Sequence, residues 1–355
     1  MRLPSPLLII MKPKLIIDDA IPFLDRRLEA DFDARYLPGE LISRTDLRDA
    51  DALLVRTRTR CDAEMLEDTP VRLVATATIG IDHIDTEWCE EHGIHWLNAP
   101  GCNAPAVAQY VFRAISELGV NLDNPLNEAG QPFTLGVVGK GNVGSIVVDW
   151  GRRLGFNVIV SDPPRQAAGL TDEDYLPLDE LMSRADGVTL HAPLVKKPAL
   201  GLPSTIHLLD AQMLSRLRPG AILVNAARGR IIDEEALRAL KPGRKWRVAL
   251  DTWEGEPAIN PDTLAIADIA TFHIAGYSRQ GKERATRALL TGLEEEFGVT
   301  LHMTDLAAPY SPPESLSEAS IRNSYDIMTD DYLMRREYTE FEHLRNFYPL
   351  REEVK

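Results

Sequence analysis

Short apolar runs alternate with polar or amphipathic stretches along most of the chain. In the first hundred residues such runs lie at 14–17, 52–56, 73–77 and 95–98, and each is followed by polar or turn-forming residues. Continuous apolar runs of this length are typical of strands buried on both faces of a parallel sheet, with helices formed by the stretches between them. The pattern therefore predicts a first α/β unit.

A second series of apolar runs follows a predicted helix over 104–118. The runs are short and rich in Val, Ile and Leu, and they lie near 134–138, 157–161, 187–190, 221–224, 247–250 and 269–271. This alternation indicates a doubly wound parallel sheet, and ligands bind such sheets at the carboxyl ends of the strands. We therefore expect an α/β protein with two Rossmann-like, parallel-sheet domains separated by a cleft.

The pattern changes after Gly298. A proline-containing stretch at 308–313 leads into charged sequence of helical character up to residue 353. Its apolar side chains recur at helical spacing, and they are Ile321, Tyr325, Met328, Tyr332, Phe341, Leu344 and Tyr348. Because the segment is too short to bury these side chains by itself, we expect it to pack against another surface, such as a second copy of the chain.

A glycine motif stands between the predicted strand at 134–138 and an amphipathic stretch. The glycines are Gly139, Gly141 and Gly144, and the next predicted strand is followed by Asp162, eighteen residues after Gly144. This spacing is the dinucleotide-binding fingerprint, in which a pyrophosphate lies at the helix N-terminus and the acid accepts the ribose hydroxyls. A carboxylate there repels the extra phosphate of NADP, so the sequence predicts NAD.

Ionisable side chains follow three later strands of the second series. Arg228 follows the run at 221–224, an acidic stretch over 251–256 follows the run at 247–250, and His273 follows the last run. A carboxylate beside an imidazole favours the protonated ring, which can exchange a proton with a hydroxyl oxygen, and a guanidinium matches a substrate carboxylate. Together with the dinucleotide motif, this arrangement favours a hydroxyacid dehydrogenase.

Composition narrows the possible partners. The chain has 355 residues and a net charge of −15, which argues against a nucleic-acid surface. Three dispersed cysteines predict neither a disulfide framework nor a metal site, so we expect a cytoplasmic protein without a metal.

No segment of the sequence is long and apolar enough for a membrane span. The apolar stretch at the start is too short for a signal sequence, and we expect translation to begin at Met11.

Taken together, the motifs resemble the D-isomer-specific 2-hydroxyacid dehydrogenases. The resemblance is carried by the glycine fingerprint, Asp162 and the segments 191–194, 217–229, 251–257 and 273–276. Within that superfamily the chain resembles the erythronate-4-phosphate dehydrogenases, from about Met11 to Glu353. The narrower resemblance is carried by 55–57, 75–83, 99–104, 273–282, 325–327 and 341–352.

The resemblance implies a function, a domain division and site residues. The function is NAD-dependent oxidation of 4-phospho-D-erythronate in pyridoxal 5'-phosphate biosynthesis. The implied domains are a substrate-binding lid over 11–103 to which 275–297 returns, an NAD-binding domain over 104–274 and an α+β dimerisation domain over 298–355. The implied catalytic residues are Arg228, Glu256 and His273. The implied substrate contacts are Arg56, Thr57, Thr78, Tyr277 and Arg351. The implied NAD contacts are Gly139, Gly141, Asn142, Val143, Gly144, Asp162, Ala192, Ala226, Ala227, Arg228, Asp251 and Gly276.

Some residues depart from the family pattern. Arg58, Arg60 and Glu352 stand where the family more often has other residues.

Two alternatives to the implied function stay open. One alternative is another D-2-hydroxyacid dehydrogenase, such as that of 3-phosphoglycerate. The other is a non-enzymatic, NAD-sensing corepressor on the same scaffold. The partners we expect are a small anionic phosphorylated hydroxyacid and a second copy of the chain, with Arg351 reaching into the partner's cleft.

Overall fold

The computed structural model describes residues 12–24, 27–196 and 203–354, so the expected start at Met11 lies outside the described residues. The strands are β1 (Lys14–Asp18), β2 (Asp33–Leu37), β3 (Ala52–Val55), β4 (Leu73–Thr76), β5 (His95–Leu97), β6 (Thr134–Val138), β7 (Asn157–Ser161), β8 (Gly187–Leu190), β9 (Ile222–Asn225), β10 (Arg247–Leu250) and β11 (Ile269–Ala270). The helices are α1 (Ala63–Leu66), α2 (Thr86–Glu91), α3 (Ala104–Glu117), α4 (Asn142–Arg153), α5 (Pro163–Ala167), α6 (Leu178–Arg184), α7 (Ala211–Ser215), α8 (Glu234–Arg244), α9 (Pro261–Ile266), α10 (Arg279–Phe297), α11 (Glu318–Ser324), α12 (Ile327–Glu337) and α13 (Phe341–Asn346).

The chain divides into two compact units. The first contains the described residues up to 102 together with 280–309, and the second contains 103–279 together with the described residues from 310. Each unit has its own sheet and its own apolar core. The prediction of two parallel-sheet α/β domains is therefore confirmed.

The first unit is built on a five-stranded parallel sheet in the order β2-β1-β3-β4-β5. Successive side chains of β1 point to opposite faces, so Leu15 and Ile17 belong to one apolar cluster and Ile16 to another. The sequence pattern missed β2, because this edge strand has no fully buried residue and carries charges at Asp33 and Arg35.

The second unit is built on a six-stranded parallel sheet in the order β11-β10-β9-β8-β6-β7. The chain continues from β6 to β7 on one side and then crosses to β8 on the other, so the strand order reverses beside β6. Most side chains of β6, β8, β9 and β10 are buried, as their apolar runs predicted. A reversal of this kind leaves a crevice at the carboxyl ends of the strands, where doubly wound proteins bind their ligands.

The C-terminal segment differs from the expected separate α+β domain. Residues 298–309 belong to the first unit and the rest to the second, where the described residues form α11, α12 and α13 without a strand. Ile321, Tyr325 and Phe341 are buried in the second unit's core. Arg113 of α3 donates to the carbonyl of Tyr325 at 2.8 Å. The tail therefore buries much of its apolar face against its own chain, which the sequence pattern did not indicate.

Three further observations limit the kinds of site the protein offers. Among the described helices, none is both long and apolar enough to cross a bilayer. In the same part of the chain, no three His, Cys, Asp or Glu side chains are grouped so that they could hold a metal ion. Within the described residues, Cys61, Cys89 and Cys102 form no disulfide bond.

Candidate active site

The glycine motif forms a tight connection between β6 and α4. Gly139 has a φ of +87°, and a Cβ at this position would lie 2.8 Å from the backbone nitrogen of Ala192. A Cβ at Gly144 would lie 2.0 Å from the carbonyl oxygen of Gly139. Side chains are thus excluded from both positions, and the loops after β6 and β8 lie against each other.

The start of α4 is suited to an anion. The helix begins at Asn142, and its N-cap, Gly141, supplies no side-chain hydrogen bond to the first turn. Around a Cβ placed at Gly141, the described residues leave open space. The amides of Asn142, Val143 and Gly144 therefore lack a capping side chain, and such amides attract a pyrophosphate.

Asp162 follows the neighbouring strand, β7, and caps α5. Its carboxylate accepts hydrogen bonds from the backbone amides of Lys140, at 2.7 Å, and Arg165, at 3.0 Å. The Arg165 guanidinium, a possible ligand for the extra phosphate of NADP, instead donates to Tyr175 and Asp172, at 3.0 Å each. The site therefore presents the Asp162 carboxylate, while Arg165 is bound to Tyr175 and Asp172. This arrangement favours NAD over NADP.

The loop after β9 carries Arg228. Asn225, the last residue of the strand, accepts a hydrogen bond from the amide of Ala227 at 3.1 Å and donates to the carbonyl of Arg228 at 3.0 Å. These bonds close the turn that contains Ala226 and Ala227 and leave the Arg228 side chain half-buried. No role was predicted for Asn225, although an Asn at a strand end is a common sign of a side-chain-stabilised turn.

His273 and Glu256 form a direct pair. The imidazole Nδ1 lies 2.6 Å from the Glu256 Oε1, and the other carboxylate oxygen accepts from the Trp253 amide at 3.2 Å. Burial alone would raise the pKa of Glu256, but its hydrogen bond and ion pair with His273, together with the charge of Arg345, lower it. Glu256 is therefore ionised at neutral pH, and Nδ1 is occupied by the carboxylate, which leaves Nε2 to face a substrate.

Asp251, one of the predicted NAD contacts, is bound to the loop that follows β11. The side chain is 1% exposed, and its carboxylate accepts from the amides of Ile274, at 2.8 Å, and Ala275, at 3.0 Å. It therefore holds the loop that carries His273. Gly276, in the same loop, lies directly against Asn103, whose amide nitrogen would be 2.0 Å from a Cβ at Gly276.

The predicted substrate contacts of the first unit follow adjacent strands. Arg56 and Thr57 come after β3, and the Arg56 guanidinium pairs with the buried Asp18 at 3.1 Å. Thr78 comes after β4, and its hydroxyl donates to the Gly80 carbonyl at 3.0 Å. Among the departures from the family pattern, Arg60 is exposed and paired with Asp62 at 2.6 Å.

The structure places Arg351 differently from the prediction that it reaches a partner's cleft. Its guanidinium is buried within its own unit, where it donates to the carbonyls of Ile274, Ala275 and Ala106. Tyr277, the other predicted substrate contact of this unit, packs its ring edge-on against Tyr348 at 6.1 Å. The tail therefore covers the His273 loop of the same chain.

Comparisons with known proteins identify the family. Residues 123–289 match the profile of the D-isomer specific 2-hydroxyacid dehydrogenase, NAD binding domain. The chain is 40% identical over 351 residues to erythronate-4-phosphate dehydrogenase of Bacteroides fragilis, covering 96% of this chain and 97% of the relative. It is 37% identical over 365 residues to the enzyme of that name from Pseudomonas fluorescens, covering 96% and 93%. A similar fold is found in D-lactate dehydrogenase of Aquifex aeolicus complexed with NAD and lactic acid, with a TM-score of 0.64 and 24% identity over 82% of this chain and 99% of that one.

Proposed function

The chain belongs to the erythronate-4-phosphate dehydrogenases, a branch of the D-isomer-specific 2-hydroxyacid dehydrogenases, and from this premise we propose that it oxidises 4-phospho-D-erythronate with NAD. The product is 3-hydroxy-2-oxo-4-phosphooxybutanoate. The observation that carries the proposal is the His273–Glu256 pair, joined at 2.6 Å within the unit that holds the dinucleotide fingerprint.

His273 moves the proton of the reaction. Oxidation of the alcohol at C2 requires the hydroxyl to lose its proton, and an imidazole Nε2 within hydrogen-bond reach of that oxygen takes it. Glu256, ionised at neutral pH, fixes the ring through Nδ1 and stabilises the charge that the ring gains. In the reverse direction the same ring donates the proton.

Arg228 binds the acidic end of the substrate. Its guanidinium forms a planar fork that matches a carboxylate, and it polarises the carbonyl oxygen that develops at C2. The Asn225 bonds set the backbone from which this side chain extends. Tyr277 is a further proposed substrate contact in this unit. For the first unit, the resemblance implies Arg56, Thr57 and Thr78 as substrate contacts.

The residues around α4 fit NAD. The uncapped amides of Asn142, Val143 and Gly144 would hold the pyrophosphate, and Asp162 would accept the adenosine ribose hydroxyls. The Asn103 Oδ1, beside Gly276, is a buried acceptor for which the described residues supply no donor, as expected where a polar ligand binds. When bound, NAD supplies the hydride acceptor. The protein's part is to orient the substrate and move its proton.

A steady-state assay tests the proposal. The purified chain is assayed with 4-phospho-D-erythronate, 3-phosphoglycerate and D-lactate, each with NAD and with NADP. We expect the highest kcat/KM with 4-phospho-D-erythronate and NAD. A higher kcat/KM with 3-phosphoglycerate would identify 3-phosphoglycerate as the substrate instead. Binding of NAD without turnover of any of the three compounds would favour the corepressor.

We also propose a homodimer formed through the C-terminal tail. In the described part of the chain, four of the seven most exposed large apolar side chains lie in the tail, namely Met328, Tyr332, Phe347 and Leu350. Exposed apolar side chains concentrated in one segment are typical of an interaction surface, and a two-fold axis would bury them against a second copy of the chain. Light scattering that gives a monomer mass at micromolar concentration would contradict this proposal.

We also propose the cytoplasm as the compartment. The three cysteines form no disulfide among the described residues, which is consistent with a reducing environment.

The acid partner of His273 predicts a loss of activity. Replacing Glu256 with Gln keeps an oxygen near Nδ1 but removes the negative charge that stabilises the charge the ring gains when it takes the substrate's proton. We therefore expect kcat/KM for oxidation of 4-phospho-D-erythronate to fall by on the order of 10- to 10²-fold. The measurement is kcat/KM with NAD for this variant and for the unchanged protein.

A second pair in the same unit supplies the control. His207 and Glu254 are joined at 2.7 Å, and neither is a proposed catalytic or binding residue. Glu254→Gln should keep the kcat/KM of the unchanged protein. If Glu256→Gln also keeps this kcat/KM, Glu256 does not support the proton transfer.

A further inference from the structure

The loop that carries His273 is held from both sides by opposite charges. The Asp251 carboxylate accepts from the amides of Ile274 and Ala275, and the Arg351 guanidinium donates to the carbonyls of the same two residues. The bond from Arg351 to Ile274 measures 3.0 Å. Every backbone polar group of these two residues therefore has a charged side chain as its partner.

His273 itself needs such support. Its φ is +60°, in the left-handed region that residues other than glycine rarely adopt, and this conformation costs on the order of 1 kcal/mol or more. The His273 amide donates to the Asp251 carbonyl at 2.8 Å, which fixes the N-terminal side of the residue. On the C-terminal side, Arg351 fixes the carbonyls of Ile274 and Ala275, although it lies more than seventy positions away in the chain.

Arg351 is held in this position by its own surroundings. The side chain is buried, and the guanidinium lies over the Tyr325 ring at 4.4 Å. The hydroxyls of Tyr325 and Tyr348 donate to Asp330, at 2.7 and 2.9 Å, and this buried carboxyl group lies close enough to the arginine to interact with its charge. A buried guanidinium needs such partners, because removing it from water without them is costly.

The backbone around Arg351 joins the same loop. The Arg279 amide donates to the Arg351 carbonyl at 2.9 Å, and Ser278 forms an isolated parallel bridge with Arg351. Tyr348 also packs edge-on against Phe272, with ring centres 5.8 Å apart. Arg351 would have to leave three carbonyl bonds and the Tyr325 ring to reach a substrate on another subunit.

We propose that Arg351 is a positioning residue for proton transfer, which orients His273 by holding the carbonyls of Ile274 and Ala275 in its own chain. The inference rests on the proposed function, in which His273 takes the substrate's proton. It assigns the tail a part in the chemical step in addition to its packing. Loss of this contact should therefore reduce kcat more than it changes KM.

The test compares Arg351→Lys and Arg351→Gln with a matched control. Lysine keeps the charge but cannot form the fork to two carbonyls, so it tests geometry in a chain that retains the buried cation. The control is Arg335→Gln, since Arg335 also lies in the tail and donates to backbone carbonyls, those of Leu264 at 3.2 Å and Ala267 at 2.8 Å, away from the His273 loop. Each variant is measured for kcat, KM for 4-phospho-D-erythronate and thermal unfolding.

We expect both Arg351 variants to lower kcat by about 10- to 100-fold while KM stays within about twofold, because a small displacement of a catalytic group is costly. Arg335→Gln should keep the kcat of the unchanged protein. A raised KM with unchanged kcat would overturn the proposal and assign Arg351 to the substrate. Equal losses of kcat in the Arg335 and Arg351 variants would show that Arg351 contributes only to the general stability of the fold.

A second measurement is independent of turnover. In protein labelled with 13C and 15N at histidine, the His273 imidazole signals can be assigned by their absence from His273→Asn. We expect these signals to shift in Arg351→Lys and to stay in place in Arg335→Gln. If the His273 signals of Arg351→Lys stay in place, the positioning role is refuted. If the protein without substitutions does not oxidise 4-phospho-D-erythronate, the proposed function alone is refuted.

Discussion

Replacing His273 with Asn should lower kcat for 4-phospho-D-erythronate by on the order of 10² to 10⁴, because the residue transfers the proton in the proposed reaction. Asn suits this test because it tolerates the left-handed backbone that His273 adopts, with a φ of +60°. It also retains a polar group for the contact with Glu256. Binding of NAD, measured by fluorescence titration, should change by no more than about twofold, since His273 lies outside the fingerprint that holds the dinucleotide.

His207 offers a closely matched control for this substitution. It too has a left-handed backbone, with a φ of +51°, and a glutamate partner at 2.7 Å in the same unit. His207→Asn should therefore carry the same local cost without touching the proposed reaction, and its kcat should stay near that of the unchanged protein. Similar losses in the two variants would show that the effect comes from the backbone conformation and not from proton transfer.

The features that the sequence predicted well are local ones. The apolar runs at 134–138 and 187–190 coincide with β6 and β8, because a strand buried on both faces needs continuous apolar sequence. The glycine fingerprint is local as well, since the contact between Gly144 and Gly139 spans five residues. The edge strand β2 gave no such signal, because exposed edge positions tolerate charge.

The roles that the sequence did not predict depend on long-range contacts. Asp251 follows a strand like a cofactor ligand, and only the folded chain reveals that its carboxylate holds the amides of Ile274 and Ala275. Arg351 stands in a charged tail, and a charged tail gives no indication that its guanidinium is buried over Tyr325. The apolar pattern of the tail predicted correctly that it must pack, but periodicity carries no information about which surface it packs against.

A single methyl group at Gly229 should disrupt the site as strongly as the loss of a catalytic side chain. Gly229 follows Arg228, and a Cβ there would lie 1.9 Å from the Trp253 carbonyl carbon and 2.4 Å from the Glu254 amide nitrogen. Both are backbone atoms, so no side-chain rotation can relieve the clash. The loop that carries Arg228 and the loop that carries Glu256 must move apart.

We therefore expect Gly229→Ala to reduce kcat/KM by on the order of 10²-fold, because displacement by about 1 Å is enough to misalign Arg228 with the His273–Glu256 pair. Overpacking should also lower the free energy of unfolding by about 1–3 kcal/mol. Gly243→Ala is the matched control, since Gly243 lies in α8 and a Cβ there meets no atom of the described residues within 4 Å. That substitution should leave kcat/KM unchanged and raise stability by about 0.4–1 kcal/mol, because alanine restricts the unfolded chain. Equal kcat/KM values for the two variants would mean that close contact between these loops is not needed to align the catalytic residues.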